Sequence, residues 1–215
     1  ITGQEGEYIS AGIAKSAITL SCLIAISLLV TDLLGMNSDS ITIGRWLGSG
    51  SLIIELNFIT TGFSVIIAAL FSIILVVVTR FSTNYIHKEP GFHRFFFVLS
   101  LFSSAMLFLI LSGNAIGTFV GWELAGLCSY LLISFAYDRP VAALNATRVF
   151  VTNRIGDAGF ILGIALSFYF AGTVNWVNLI ELTGSLATPT VTVISLCFVV
   201  AAIAKSAQLP FTPWL

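Results

Sequence analysis

The sequence predicts an all-α fold: a polytopic membrane helix bundle of about six transmembrane helices, the last of them broken. Three observations predict it. Of 215 residues, 57% are hydrophobic and only 9% are charged, whereas a soluble domain carries about 25% charged residues. The mean hydropathy is +1.02, so the chain has too little polar surface to cover a globule in water. The charges also gather between long uncharged runs, each of the ~20 residues that cross ~30 Å of hydrocarbon as a helix. A soluble enzyme is excluded by this composition.

The elements follow in order. Helices are expected at 11–34, 60–86, 95–113, 117–137, 151–171 and 190–208. The first run is too long, and followed by too many others, to be a cleaved signal peptide. Residues 35–57 are polar and glycine-rich, which predicts a loop; Ser51–Asn57 within it reads as a short strand outside the bilayer. The run from Phe95 to Tyr137 is too long for one helix, and Gly113-Asn114 is the expected break. Residues 172–189 form another loop, with Trp176 and Pro189 near its ends. Gly159 and Gly163, like Gly113 and Gly117, are four apart and predict close-packing faces. One transmembrane domain over 1–215 is the simplest organisation. The chain begins with Ile1 and stops at Leu215 just after two prolines, so both ends read as cut.

Loop charges set the topology. The 80–94 loop carries Arg80, Lys88 and Arg94; the 138–150 loop carries Arg139 and Arg148, with Arg154 just beyond. Lys and Arg are absent from 113–117 and 172–189, and 35–59 has only Arg45. By the positive-inside rule the charged loops face the cytoplasm or the mitochondrial matrix. The net charge of −1 provides no basic field, so nucleic acid is not a partner. Cys22, Cys128 and Cys197 are isolated in apolar runs, without the spacing of a zinc or iron–sulfur site.

Ionisable groups at bilayer depth cost about 2.5–3.5 kcal/mol on insertion scales, so they carry the functional information. Four stand out. Glu123 lies about two turns inside its helix, and Gly121 and Gly126 leave room beside it for water or another helix; an intramembrane carboxylate is functional by default, and a structural carboxylate, neutral or bonded to a neighbouring backbone, is the plainer alternative. Lys205 is surrounded by small residues in Ala201–Gln208. Burial disfavours its ammonium and a nearby carboxylate favours it, so a lysine held between the two can load and release a proton; snorkelling at a helix end is the plainer alternative. Pro210 breaks the ladder just beyond, and a broken helix beside an intramembrane charge recurs in transporter sites. Arg154 and Asp157 are three apart and pair on one face, with Asn153 beside them; they serve either proton entry or structure. His87 and His93 read as solvated loop residues, and Phe95–Phe97 as lipid-facing or packing residues.

Four segments carry a family resemblance. Val120-Gly-Trp-Glu-Leu-Ala-Gly-Leu-Cys-Ser-Tyr-Leu-Leu132, Asn153-Arg-Ile-Gly-Asp-Ala-Gly-Phe-Ile-Leu162, Ala204-Lys-Ser-Ala-Gln-Leu-Pro-Phe-Thr-Pro-Trp-Leu215 and Tyr85-Ile-His-Lys-Glu-Pro90 resemble chain 5 of NADH–ubiquinone oxidoreductase (respiratory complex I), its largest antiporter-like subunit. The likeness is clear from about Ile59 onward and looser before. It implies the first half of an inverted-repeat antiporter-like fold, without the family's first helix or anything past the break in its seventh. A continuation or a separate chain would supply the second half. It also implies that Glu123 and Lys205 form a coupled charge pair for proton translocation, with Arg154 and Asp157 near proton entry or in an ion pair. No cofactor is implied in this chain; NADH, FMN, iron–sulfur clusters and ubiquinone would lie elsewhere in the complex. The implied partners are other membrane-arm subunits, above all a neighbouring antiporter-like one, and the lipid bilayer. The Asn-Arg-Ile-Gly-Asp and His-Lys-Glu-Pro segments favour the mitochondrial inner membrane over a bacterial plasma membrane. A multisubunit cation/proton antiporter and a non-pumping structural half-subunit are the alternatives.

Overall fold

Apolar runs of membrane-crossing length become the main helices of the computed structural model, which describes residues 4–49 and 52–214. The helices are α1 (Gln4–Leu33), α2 (Gly62–Tyr85), α3 (Phe92–Leu111), α4 (Ala115–Ile133), α5 (Pro140–Ala171), the short α6 (Trp176–Leu182) and α7 (Thr188–Lys205). Six of them, all but α6, are long and apolar enough to span a membrane. The protein is a multi-pass helical membrane bundle. α1 packs on α2 and α3, α3 on α4, α4 on α5, and α5 on α7.

Three places differ from the sequence reading. The segment expected as a loop at 35–57 forms an antiparallel hairpin of β1 (Ser40–Ser49) and β2 (Leu52–Ile59). The expected strand from Ser51 corresponds to β2; Ser51 itself lies outside the described residues. Register shifts at Thr42/Gly44 and Arg45/Leu47 break the side-chain alternation of β1 and hide it. The 138–150 loop does not exist as such. Pro140 starts α5 at its first turn, where a missing N–H is harmless, so Arg148 sits on a helix of 32 residues. Within 172–189, Asn175 caps α6 by accepting hydrogen bonds from the amides of Val177 and Asn178.

At the arginine-rich end, the first turns of α1 meet the α2–α3 connection. Glu7 pairs with His87 at 2.9 Å, and Ser10 hydrogen-bonds His93 at 2.7 Å. Both histidines are exposed, yet both are engaged. Arg94 donates to the Phe135 carbonyl at 2.7 Å, holding α3 to the end of α4. The three adjacent phenylalanines divide as helical phase requires: Phe96 is core, Phe97 is exposed, and Phe95 is half-buried against Phe96 and Phe135.

The opposite end is closed by amides. Helix α3 stops at Leu111, and Asn114 caps α4 by accepting from the Gly117 amide at 2.8 Å. Its Nδ2 donates to the Glu55 carbonyl at 2.8 Å and to Asn57 Oδ1 at 2.6 Å. Backbone bonds from Gly113 to Asn57 O, Trp176 to Gly113 O and Ala115 to Val174 O complete a knot between the hairpin, the α3–α4 break and the start of α6. A Cβ at Gly113 would meet the Asn57 side chain at 2.6 Å, so this glycine admits the hairpin, not another helix. Gly159 and Gly163 do mark a helix seam: a Cβ there would meet Cys197 O and the Phe198 ring of α7, both at 3.0 Å.

Candidate functional site: an ion network at the break of α7

Helix α7 ends at Lys205, inside the bundle. Beyond it Ala207 takes a left-handed conformation, with φ 53°, and Trp214 donates its indole N–H back to the Ala204 carbonyl at 2.8 Å. The chain thus folds against the end of α7, and one freed carbonyl has a partner.

Lys205 faces α4. Its Nζ donates to the Trp122 carbonyl at 3.3 Å and lies 5.1 Å from the centroid of the Trp122 ring, a cation–π approach. Gly126 makes this possible, since a Cβ there would stand 2.9 Å from Nζ. Among the described residues, no carboxylate oxygen comes within 4.0 Å of Lys205.

Glu123, one residue on, turns toward α5. Its carboxylate accepts a hydrogen bond from Arg154 Nη1 in a close ion pair. Arg154 Nε also lies 3.1 Å from Asp157 Oδ2. That distance makes an ion pair, but the N–H is not aimed at the oxygen, and neither atom completes a hydrogen bond. The guanidinium stacks over Phe150, 4.5 Å from its centroid. Asp157 is buried and receives the Trp122 indole N–H at 2.6 Å. Asn153, four residues before it, is buried as well.

The four residues singled out in the sequence therefore meet at one place, on α4, α5 and α7. The i,i+3 pairing of Arg154 with Asp157 forms as their spacing predicts. Glu123 and Lys205 do not touch: Arg154 holds the glutamate, and Trp122 receives the lysine. Side-chain exposures of 28% for Glu123 and 36% for Arg154 leave the network open on one side. Asp157 anchors the closed side.

Trp122 was missed as a participant by sequence reasoning. It bridges Asp157 through its N–H and Lys205 through its carbonyl and ring. The signal was available, because an indole N–H in hydrocarbon needs an acceptor, and Trp122 adjoins the intramembrane Glu123. Behind it an aromatic column runs through Phe160 and Phe198 to Trp176, with successive centroids 5.2–5.3 Å apart.

Such a network can hold one excess proton or none, and it can exchange ion-pair partners. Glu123 has two cations near it, and Lys205 has two carboxylates on the helices it packs against.

Comparison with known proteins gives concordant relatives. Residues 46–96 match the family described as NADH-ubiquinone oxidoreductase (complex I), chain 5 N-terminus, and residues 112–215 match the family described as NADH:quinone oxidoreductase/Mrp antiporter, TM. The chloroplastic NAD(P)H-quinone oxidoreductase subunit 5 of Helianthus annuus is 34% identical over 210 residues, which is 94% of this chain and 28% of that protein. The corresponding protein of Adenocaulon himalaicum is 36% identical over 188 residues, 84% of this chain and 25% of that one. The chain thus spans about a quarter of the length of the curated relatives it matches. Among solved structures, the Mrp complex from Dietzia sp. superposes with a TM-score of 0.76 at 24% identity, over 98% of this chain and 25% of that one. The archaeal membrane-bound sulfane sulfur reductase superposes with a TM-score of 0.75 at 20% identity, over 97% and 45%.

Proposed function

Because the chain belongs to the chain 5 family of NADH–quinone oxidoreductase membrane subunits, we propose that residues 1–215 form one transmembrane domain of a larger proton-translocating membrane-arm subunit. The observation that carries this reading is the ion network at the break of α7, where Glu123, Arg154, Asp157 and Lys205 converge through Trp122.

The geometry suggests partner exchange as the working step. In the arrangement described, Arg154 neutralises Glu123, and Lys205 rests on a carbonyl and a π face. If Glu123 swings from Arg154 to Lys205, the ammonium gains a counter-charge. At about 4 Å and an effective dielectric near 20, a unit pair is worth about 4 kcal/mol, enough to decide whether a half-buried lysine holds its proton. When Glu123 returns to Arg154, Lys205 loses that support and passes its proton on. Arg154 and Asp157 set the resting position of Glu123, and they also lie on the route from the arginine-rich end.

In this proposal the chain works as part of an oxidoreductase complex and holds no redox centre. NADH, FMN, iron–sulfur clusters and ubiquinone would be bound by other subunits. A neighbouring antiporter-like subunit and the remainder of this subunit would complete the proton path. The mitochondrial inner membrane is the compartment we propose from the Asn-Arg-Ile-Gly-Asp and His-Lys-Glu-Pro segments. Chloroplastic relatives make a thylakoid complex the competing assignment, and organelle fractionation decides between them.

The test is Glu123→Gln and Lys205→Met in the assembled complex, reconstituted in sealed vesicles. Both are expected to abolish the NADH-driven pH gradient and slow coupled NADH oxidation. Unchanged pumping in both would leave only a structural role for the domain. A cation/proton antiporter subunit is a second reading, favoured by the family description that names Mrp. Sodium-dependent proton exchange without NADH oxidation would establish it.

A further inference from the structure

Helices α1 and α2 enclose an exposed groove of about 610 Å³, away from the ion network. Lys15 of α1 and Arg80 of α2 both line it, together with the polar residues Ser16, Thr19, Thr83 and Asn84. Among the described residues no carboxylate lines it and neither cation is in an ion pair. Leu20 and Leu23 form the rest of the wall and are exposed.

Depth orders these groups. The Glu7–His87 pair marks the arginine-rich surface. Lys15 lies eight residues beyond Glu7, and Arg80 lies seven before His87; both are therefore about 10–12 Å further in, at 1.5 Å per residue. The polar layer is about 5–7 Å thick on each side, so both backbones stand a few ångströms inside the hydrocarbon, from which the long Lys15 and Arg80 side chains reach back to the headgroup level. Leu20 and Leu23 lie about 8 and 12 Å deeper again. Cations and hydroxyls at the boundary with leucines below match a phosphodiester above an acyl chain. The described lining offers two cations and no carboxylate, which favours a bare phosphodiester over a choline or ethanolamine headgroup. Basic pockets between spanning helices on this side of a membrane are suited to anionic headgroups.

We propose that the α1–α2 groove binds an anionic phospholipid, its phosphate between Lys15 and Arg80 and an acyl chain along Leu20 and Leu23. The test uses the assembled complex in phosphatidylcholine nanodiscs containing a minor fraction of phosphatidylglycerol, with retained lipid measured by native mass spectrometry. Lys15→Gln or Arg80→Gln is expected to weaken phosphatidylglycerol retention about fivefold each and to leave phosphatidylcholine unchanged. Lys15→Arg with Arg80→Lys should retain the lipid. Equal retention in the double glutamine variant overturns the site, as does equal loss of both lipids. Displacement of the lipid by inorganic phosphate would mark a free-anion site and also overturns the proposal. Should the double variant not assemble, the unaltered complex carries the test. Phosphatidylglycerol with a photoreactive acyl chain must then crosslink at Leu20 or Leu23, and labelling only elsewhere refutes the site.

Discussion

Two buried polar clusters occupy the same bundle and are built on opposite plans. At the hairpin end, Asn114 uses both amide hydrogens and its carbonyl oxygen at once. Its neighbours Asn57, Gly113 and Trp176 are tied by backbone bonds. In the middle of the bundle, by contrast, Arg154 Nε, Asp157 Oδ2 and Asn153 Oδ1 complete no hydrogen bond. The first cluster is neutral and saturated, so any movement breaks bonds without replacing them. The second is ionic and unsaturated, so its members can change partners at low cost. The amides at the hairpin end thus fix the frame, and the unmet hydrogen-bonding capacity is concentrated among the ions.

Arg154→Ala should break that contrast most severely. It leaves Glu123 and Asp157 facing each other without their cation. The expected loss is about 3 kcal/mol, the low end for a broken buried pair, because the arginine is partly open. Thermal unfolding of the purified complex measures it, and pumping should fail in parallel. Asn114→Leu tests the other cluster. It removes a helix cap worth about 1 kcal/mol and leaves buried acceptors on Glu55 and Asn57 unmet, for a total of about 2–3 kcal/mol. Protons pumped per NADH oxidised should be unchanged in whatever protein assembles; a drop in that ratio would mean the two clusters are not independent. Trp122→Phe keeps the ring near Lys205 but deletes the N–H to Asp157. About 1.5 kcal/mol is expected, the lower range for a hydrogen bond to a charged group, with a larger relative effect on pumping than on the melting temperature. Gly126→Ala is the smallest change in stability. Alanine adds about 0.8–1 kcal/mol of helix propensity, offset by moving the flexible end of Lys205. Stability should hold within about 1 kcal/mol while pumping falls. Unaltered pumping would show that the close approach of Lys205 to Trp122 does no work.

The sequence made the six spans legible because hydropathy and length suffice to find them. It also made legible the four charges, since each interrupts a run where charge is expensive. Partner choice was not legible. Spacing rules reach i,i+3 and i,i+4 on one helix and so found Arg154 with Asp157. Which cation Glu123 selects depends on the rotation of α4 against α5 and α7, which is set by glycine contacts scattered over three segments. The start of α5 was readable in principle from Pro140, but its arginines and asparagine weighed toward a loop. β1 was obscured by its own irregular register.

Helix α5 has a further consequence through its length alone. At 32 residues it is about 48 Å long, against a hydrocarbon layer of about 30 Å. Leaning far enough to fit would take an angle of about 50°, beyond the 0–40° at which spanning helices stand. Even at 40° it overshoots that layer by about 9 Å, so nearly two turns at its arginine-flanked start emerge from the oily layer into the polar boundary. Val141 and Leu144, both exposed on that stretch, would then face the interfacial layer, with Arg139 on its water side. The helix that carries Arg154 and Asp157 at its midpoint is thus also a rod gripped at the membrane surface, and a push on that protruding stub would be felt at the buried charges.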